Sequence, residues 1–286
     1  MLRDKIEKGE FVFTLEVSPP RGVNIEKAIQ PLNSLKDKFD AFNVTDCPGA
    51  KLRLSSLAMS YFLKQRGFEA VMQITARDRN SLALQADLLA ASAYGIENVL
   101  ALTGDPPFVG RNAKAKAVFE IDAIGILEIM QNLNQGRSWE GEEIKGSTNF
   151  FAAAAVNPGA VRLDKEIERM KKKIDKGAKF FYTQAVFDIE NFKRFMDKIS
   201  RIKIPLIAGI IVLRSERMAK FINDNIPGIN IPPSILSLIE ESSDKRRASL
   251  AIAEDIVNKI KDMVQGVHIM PIGYNSVVEE LIERVR

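Results

Sequence analysis

Cysteine, histidine and tryptophan each occur once in 286 residues, as Cys47, His268 and Trp139. A single cysteine permits no intrachain disulfide, which suits a reducing compartment. One thiol and one imidazole cannot build a zinc or iron–sulfur site from this chain alone, so no metal is expected. A Ser-His-Asp triad would have to use His268, and no Gly-x-Ser-x-Gly elbow occurs. Neither Gly-x-Gly-x-x-Gly after the first apolar segment nor Gly-x-x-x-x-Gly-Lys-[Ser/Thr] anywhere is present, so neither loop grips a nucleotide here. The longest apolar run, residues 204–213, includes Pro205 and is far short of the ~20 residues a membrane helix needs. Residues 1–8 are charged and amphipathic rather than a secretory signal, so a soluble, cytoplasmic protein is expected. Strong net charge is also missing: 41 basic against 37 acidic side chains leave +4. The densest basic cluster, Lys171-Lys172-Lys173, reads first as a solvated helix face. It is too small to argue for nucleic acid but compatible with a polyanionic ligand.

What is present is a regular alternation. Short apolar segments at 11–17, 40–45, 70–75, 99–102, 149–156, 179–184, 205–212 and 267–270 read as strands. Helical periodicity follows at 24–35, 52–65, 81–94, 121–133, 164–176, 188–200, 214–223, 234–241, 244–264 and 276–286, with Asn24 as a cap. Strand then helix, eight times over, with no low-complexity linker, argues parallel strands. The count matches an α/β fold of the single (β/α)8 TIM-barrel type, one domain over residues 1–286. An open doubly wound sheet is the alternative. Residues 108–120, with Gly110-Arg111-Asn112, are the candidate mobile active-site loop.

In a barrel, side chains at the carboxyl ends of strands converge. Those ends supply Glu16, Thr45-Asp46, Thr75, Arg77-Asp78, Thr103-Gly104-Asp105, Asn157 and Thr183-Gln184. The set holds carboxylates but no histidine, cysteine or metal triad. It suits proton transfer by a carboxylic acid beside a bound organic cofactor. In Thr103-Gly104-Asp105-Pro106-Pro107, Gly104 admits close approach of backbone and the prolines stiffen the exit. Glu16 sits between Leu15 and Val17, where burial would raise its pKa toward neutrality. The competing role for Glu16 is an ion pair with Arg21 or Arg77. His268 reads as a core histidine and Cys47 as a small packed residue at a strand end, with redox contact as the alternative. Trp139 lies in a polar loop that either folds back or meets a partner.

Three stretches together resemble the methylenetetrahydrofolate reductases. They are Phe13-Thr14-Leu15-Glu16-Val17-Ser18-Pro19-Pro20-Arg21 with Val44-Thr45, then residues 95–107 from Gly95 to Pro107, and Gly177 to Gln184 with Phe187-Asp188. They fall in family order across nearly the whole chain. The variant Gln73-Ile74-Thr75-Ala76-Arg77-Asp78-Arg79-Asn80 looks most like the branch fused to homocysteine methyltransferases or working in acetogen-type complexes.

The resemblance implies a flavin-bearing barrel that reduces 5,10-methylenetetrahydrofolate to 5-methyltetrahydrofolate, in one-carbon metabolism and methionine biosynthesis. Glu16 would be the general acid that helps open the five-membered ring to an iminium ion, and reduced flavin N5 would deliver hydride. Asp105 would favour that cation by its charge. The cofactor, FAD with FMN as the alternative, would meet Thr45, Asp46, Gln73, Thr75, Thr103, Gly104, Asp105, Ala153, Asn157 and Ala160, and Glu166, Arg169, Lys172 and Lys173 on the following helix. Substrate would meet Glu16, Asp105, Gln184 and Tyr274. NAD(P)H would reduce the flavin directly or through a partner subunit, and a homo-oligomer fits the family. The chain departs from the family pattern at Gln73 and Asn157, where many members have His. It departs also at Thr103, where they have Arg, at Ala153, where they have Tyr, and at Tyr274, which replaces an Arg. The competing functions are a non-redox pterin-binding barrel of the folate methyltransferase kind and a non-catalytic scaffold subunit.

Overall fold

Apolar strands of four to six residues, each stopped by a polar, glycine or proline turn, alternate with capped amphipathic helices. In the computed structural model, which describes residues 1–110 and 114–286, the order is as follows. Helix α1 (Leu2–Glu7) precedes β1 (Val12–Val17), α2 (Glu26–Ile29), β2 (Ala41–Val44) and α3 (Ser56–Gln65). Then come β3 (Ala70–Thr75), α4 (Ser81–Ala93), β4 (Asn98–Leu102), α5 (Ala123–Asn134), β5 (Phe151–Val156) and α6 (Leu163–Asp175). The chain ends with β6 (Phe180–Ala185), α7 (Ile189–Ile199), β7 (Leu206–Ile211), α8 (Glu216–Asn225), α9 (Pro233–Glu241), α10 (Lys245–Ile260), β8 (Gly266–Met270) and α11 (Val278–Val285). The strands form a closed barrel in the order β1-β2-β3-β4-β5-β6-β7-β8, the expected (β/α)8 architecture.

By its contacts the chain divides into two compact units. The first comprises Met1–Asp4, Glu16–Ala155 and Met170–Phe180. Its parallel ladder pairs Val44 with Met72, Thr75 with Leu102 and Ala101 with Ala154. Its core is anchored by Phe42 and Phe68, both buried, their rings edge to face at 5.0 Å. The second comprises Lys5–Leu15, Val156–Arg169 and Phe181–Arg286. There β7 pairs with β8 from Ile207–Gly266 to Ile211–Met270, and β8 pairs with β1 from Gly266–Val12 to Ile269–Leu15. Buried Phe192 and Phe195 on α7 supply its bulk.

Polar side chains start the helices where the sequence places them. Asn80, Asp122, Asp188, Ser215 and Asp244 each accept a backbone N–H of the following turn. Three boundaries differ from expectation by more than two residues. The helix expected over 52–65 starts at Ser56, because Ser55 caps it and the Leu54 N–H is taken by the Pro20 carbonyl at 2.8 Å. The segment 24–35 holds only one α-helical turn before tightening to a 3₁₀ helix, Gln30–Leu35, because Pro31 lacks an N–H. Helix α10 ends at Ile260, and residues 261–263 tighten likewise. Helix α1 was signalled only by Leu2 and Ile6, four apart, both buried.

Candidate active site at the carboxyl ends of the strands

Strand β1 carries Thr14 and Glu16 two residues apart, so both project from one face. Glu16 keeps partial solvent contact. Desolvation nonetheless pushes its carboxyl from 4.5 up to about 7 and is the only cause acting on it. Neither candidate ion-pair partner reaches Glu16. Arg21 is exposed, and Arg77 is taken by Asp78 at 2.6 Å. At neutral pH this carboxyl can therefore hold a proton and release it.

Asp105 follows β4 and Gly104. Its Oδ2 accepts the Gly49 N–H at 3.1 Å, so the turns after β4 and β2 meet at this carboxylate. Gly104 has φ +92°, a conformation that excludes most side chains. A Cβ there would also lie 2.9 Å from Arg77 Cβ and 3.1 Å from Thr75 Cβ. The Thr103 hydroxyl accepts the Ala123 N–H at 3.3 Å at the start of α5. Thr45, nearly buried, donates to Ser18 Oγ at 3.5 Å. Asp46 is also buried, and its Oδ2 accepts from Thr75 N at 3.0 Å, Thr75 Oγ1 at 2.9 Å and Arg79 Nη1 at 2.7 Å. Gln73 on β3 and Ala153 on β5 are buried. All of these lie in the first unit.

Lys173 is also buried, and its ammonium donates to the Ala155 carbonyl at 2.6 Å. Of the basic cluster, only Lys171 and Lys172 form the solvated face expected of all three. Arg169 is exposed as well. In the second unit, the Asn157 N–H donates to Glu166 Oε1 at 3.0 Å, so a carboxylate of α6 ties down the turn after β5. Asn157 Oδ1 accepts the Gly159 N–H at 3.0 Å, and the Ala160 N–H closes the turn on the Asn157 carbonyl at 3.2 Å. Tyr274 is half-buried after β8.

Gln184 is exposed in an otherwise buried strand. The β6–β7 register shifts between Tyr182 and Ala185. The Gly209 N–H there donates to the Thr183 hydroxyl at 3.0 Å, and that hydroxyl donates to the Gln184 carbonyl at 2.7 Å. A side chain thus enters the ladder, and the resulting bulge turns Gln184 outward. A Cβ on Gly209 would meet the Thr183 carbonyl at 2.7 Å, so glycine is required opposite the bulge. Sequence reading named Gln184 but missed Thr183 and Gly209 as the pair that aims it. Their signal was Thr before Gln at a strand end and a glycine inside an apolar strand.

His268 is a core histidine, as expected. It is buried, 3.0 Å from Thr14 Oγ1, with its ring edge to face against Tyr182 at 5.1 Å. Desolvation pushes its pKa down to about 3, so it stays neutral. Trp139 belongs to a folded-back loop, its N–H held by Gln85 Oε1 at 2.8 Å. Arg111 and Asn112 of the expected mobile loop lie outside the described residues. Later in that loop, Val118 donates to the Arg77 carbonyl at 2.8 Å, and Glu120 accepts the Ser81 N–H at 2.8 Å. No group of three metal-ligating side chains occurs among the described residues, and no helix there is long and apolar enough to cross a membrane. A cleft of about 570 Å³ lies at the amino ends of β7 and β8, lined by Phe11, Met196 and Met263 among others. In barrels that end carries stability rather than chemistry.

The family model for methylenetetrahydrofolate reductase matches residues 1–286. The chain belongs to the methylenetetrahydrofolate reductase family. The 5,10-methylenetetrahydrofolate reductase of Salmonella typhimurium is 27% identical over 245 residues, 83% of this chain and 76% of that protein. The Escherichia coli enzyme is 25% identical over 266 residues, 90% of this chain and 82% of that protein. Among solved structures, a Clostridium thermocellum protein that binds two copies of 5-methyl-5,6,7,8-tetrahydrofolic acid aligns with a TM-score of 0.70 at 17% identity. The alignment covers 100% of this chain and 98% of that one, and it shows a shared fold.

The reaction of this reductase family is methylenetetrahydrofolate reduction, and the chain is an oxidoreductase of that class. The family is generally flavin-dependent. Glu16 carries a carboxyl raised to about 7, Gly104 a turn at positive φ, Asp105 a carboxylate bound by the Gly49 N–H, and Gln184 an exposed amide. Asp46 and Thr75 bond each other, Glu166 accepts the Asn157 N–H, and Lys173 donates to the Ala155 carbonyl.

Proposed function

We propose that this chain reduces 5,10-methylenetetrahydrofolate to 5-methyltetrahydrofolate, with Glu16 as the general acid. The observation that carries the reading is Glu16 itself, an acid raised to about 7 by desolvation, with no cation among the described residues acting on it. A carboxyl so placed gives a proton to the ring nitrogen that leaves when the five-membered ring opens. Asp105, fixed by the Gly49 N–H, sets a negative charge where cationic character develops on the folate. Gln184 offers an amide that can both donate to and accept from the pterin.

The residues present fit a flavin. The Gly104 turn packs directly on Thr75 and Arg77, where a Cβ would clash, and Thr45, Gln73 and Thr103 at the neighbouring strand ends carry the neutral polar groups that would meet the cofactor. Arg169 and Lys172, exposed on α6, would meet phosphate, while Asn157 and Ala160 would shape the turn beside it and Ala153 leaves room on β5. The cofactor, FAD with FMN as alternative, supplies hydride. NAD(P)H directly, or a partner subunit, supplies the reducing equivalents. Tyr274 takes the substrate-side place where relatives have an Arg.

The test is Glu16→Gln. The variant should fold, take up flavin with an unchanged visible spectrum, and lose at least a hundred-fold in folate reduction, the size of a general-acid contribution. Retention of most activity would refute the assignment of the acid. Wild-type protein that binds 5-methyltetrahydrofolate but stays colourless after FAD and FMN are supplied would point to a non-redox pterin-binding barrel.

A further inference from the structure

The segment Arg77-Asp78-Arg79-Asn80 is heavily bonded within the first unit. Arg77 is buried, with Nε 2.9 Å from Asp78 Oδ1 and Nη1 donating to the Cys47 carbonyl at 3.2 Å. Arg79 reaches the other way. Its Nη1 donates to Asp46 Oδ2 at 2.7 Å, and its Nε donates to Asp87 on α4 at 2.7 Å. Asn80 caps α4 through the Ala83 N–H at 2.9 Å. Both arginines therefore brace the turn after β2 from the turn after β3.

That braced turn is conformationally costly. Cys47 and Ala50 hold φ of 45° and 51°, the left-handed region that non-glycine residues avoid. Such a backbone persists only where its surroundings hold it. The Arg77–Cys47 bond, the Arg79–Asp46 pair and the Gly49–Asp105 bond are those restraints. The same carboxylate of Asp46 holds both the N–H and the hydroxyl of Thr75, and the side chains of Thr75 and Arg77 form the floor on which Gly104 lies.

We infer that Asp46 and Arg79 are positioning residues for the reductase: their ion pair, acting through Thr75, sets the Gly104 turn and the β2 turn between which Asp105 is held. Asp46 then serves the cofactor site without touching the cofactor. The inference rests on the flavin reading above, and its test separates the two.

Flavin affinity is measured by visible titration of FAD into Asp46→Asn, Arg79→Gln and the double variant. Each single change should weaken affinity at least ten-fold, and the double should be no weaker than the poorer single, because both remove one pair. Arg79→Lys should recover part of the loss. The labelling rate of Cys47 in flavin-free protein is a second readout, since the one cysteine lies in the braced turn. It should rise about ten-fold in Arg79→Gln. Should a single variant fail to fold, the double, which leaves no lone charge of the pair, supplies the comparison with wild type. Flavin affinity within two-fold of wild type in Arg79→Gln, or losses that multiply in the double variant, would overturn the positioning role. Wild type that takes up no flavin overturns the flavin reading instead, and the labelling rates still decide whether the pair sets the turn.

Discussion

Replacing Glu16 by Gln should make the protein more stable at alkaline pH while removing its chemistry. The carboxyl lies at about 7 in the folded chain against 4.5 otherwise. At roughly 1.4 kcal/mol for each tenfold change in an ionisation constant, holding the ionised form in the folded state costs about 3 kcal/mol. Glu16 keeps some solvent contact, which screens the cost to about 1–3 kcal/mol. The sign follows from which state ionises first. Below pH 4.5 the carboxyl is protonated in both states, and its full stabilisation is present. Between pH 4.5 and about 7 the unfolded chain releases its proton first, so stability falls as pH rises, and above about 7 the loss is complete. Glutamine has nearly the same shape and no proton to release. Urea unfolding of wild type and Glu16→Gln at pH 4.5, 6 and 8 isolates the effect, because every other titrating group cancels in the difference. The variant should gain about 1–3 kcal/mol relative to wild type between the first and last pH. A difference constant to within about 0.5 kcal/mol across the range would mean that Glu16 ionises normally, and the proposed acid would lose its physical basis.

Two further outcomes are expected. Thr183→Val removes the hydroxyl that accepts from Gly209 and donates to Gln184, so the bulge should relax and Gln184 lose its aim. The folate KM should rise about ten-fold with flavin affinity unchanged, and Thr183→Ser should restore it. Unchanged KM in the valine variant would refute the aiming role. His268, pushed down to about 3, makes wild type lose stability as pH falls below 6.5, because only the unfolded chain takes the proton. His268→Gln should escape about 2–3 kcal/mol of that loss between pH 6.5 and 4.5. Parallel unfolding curves for the two proteins would show that the imidazole protonates in the folded state.

Much of the fold was legible because its signals are local. Apolar strands bounded by glycine and proline, and polar caps such as Asn80, Asp122 and Asp188, mark element ends within a few residues. The eight repeats followed from counting them. The errors fell where a neighbour outside the element decides, as at Leu54, whose N–H goes to Pro20 rather than into a helix.

For the proposed site, residue type and strand-end position singled out Glu16, Asp105 and Gln184 as candidates. A carboxyl between Leu15 and Val17 meets desolvation wherever such a strand is buried, so even its raised pKa followed from the pattern. Tertiary structure alone decided which polar groups remain for a ligand. Asp46 and Lys173 read from the sequence as cofactor contacts. Folding joins Asp46 to Thr75 and Arg79, 29 and 33 residues away, and Lys173 to the Ala155 carbonyl, 18 residues away. It also turns Gln184 outward through a hydroxyl that enters the ladder beside it. A hydrogen bond depends on distance and direction between groups far apart in the chain. The amino-acid sequence thus determined which residues could act, and the packed loops determined which were left free to do so.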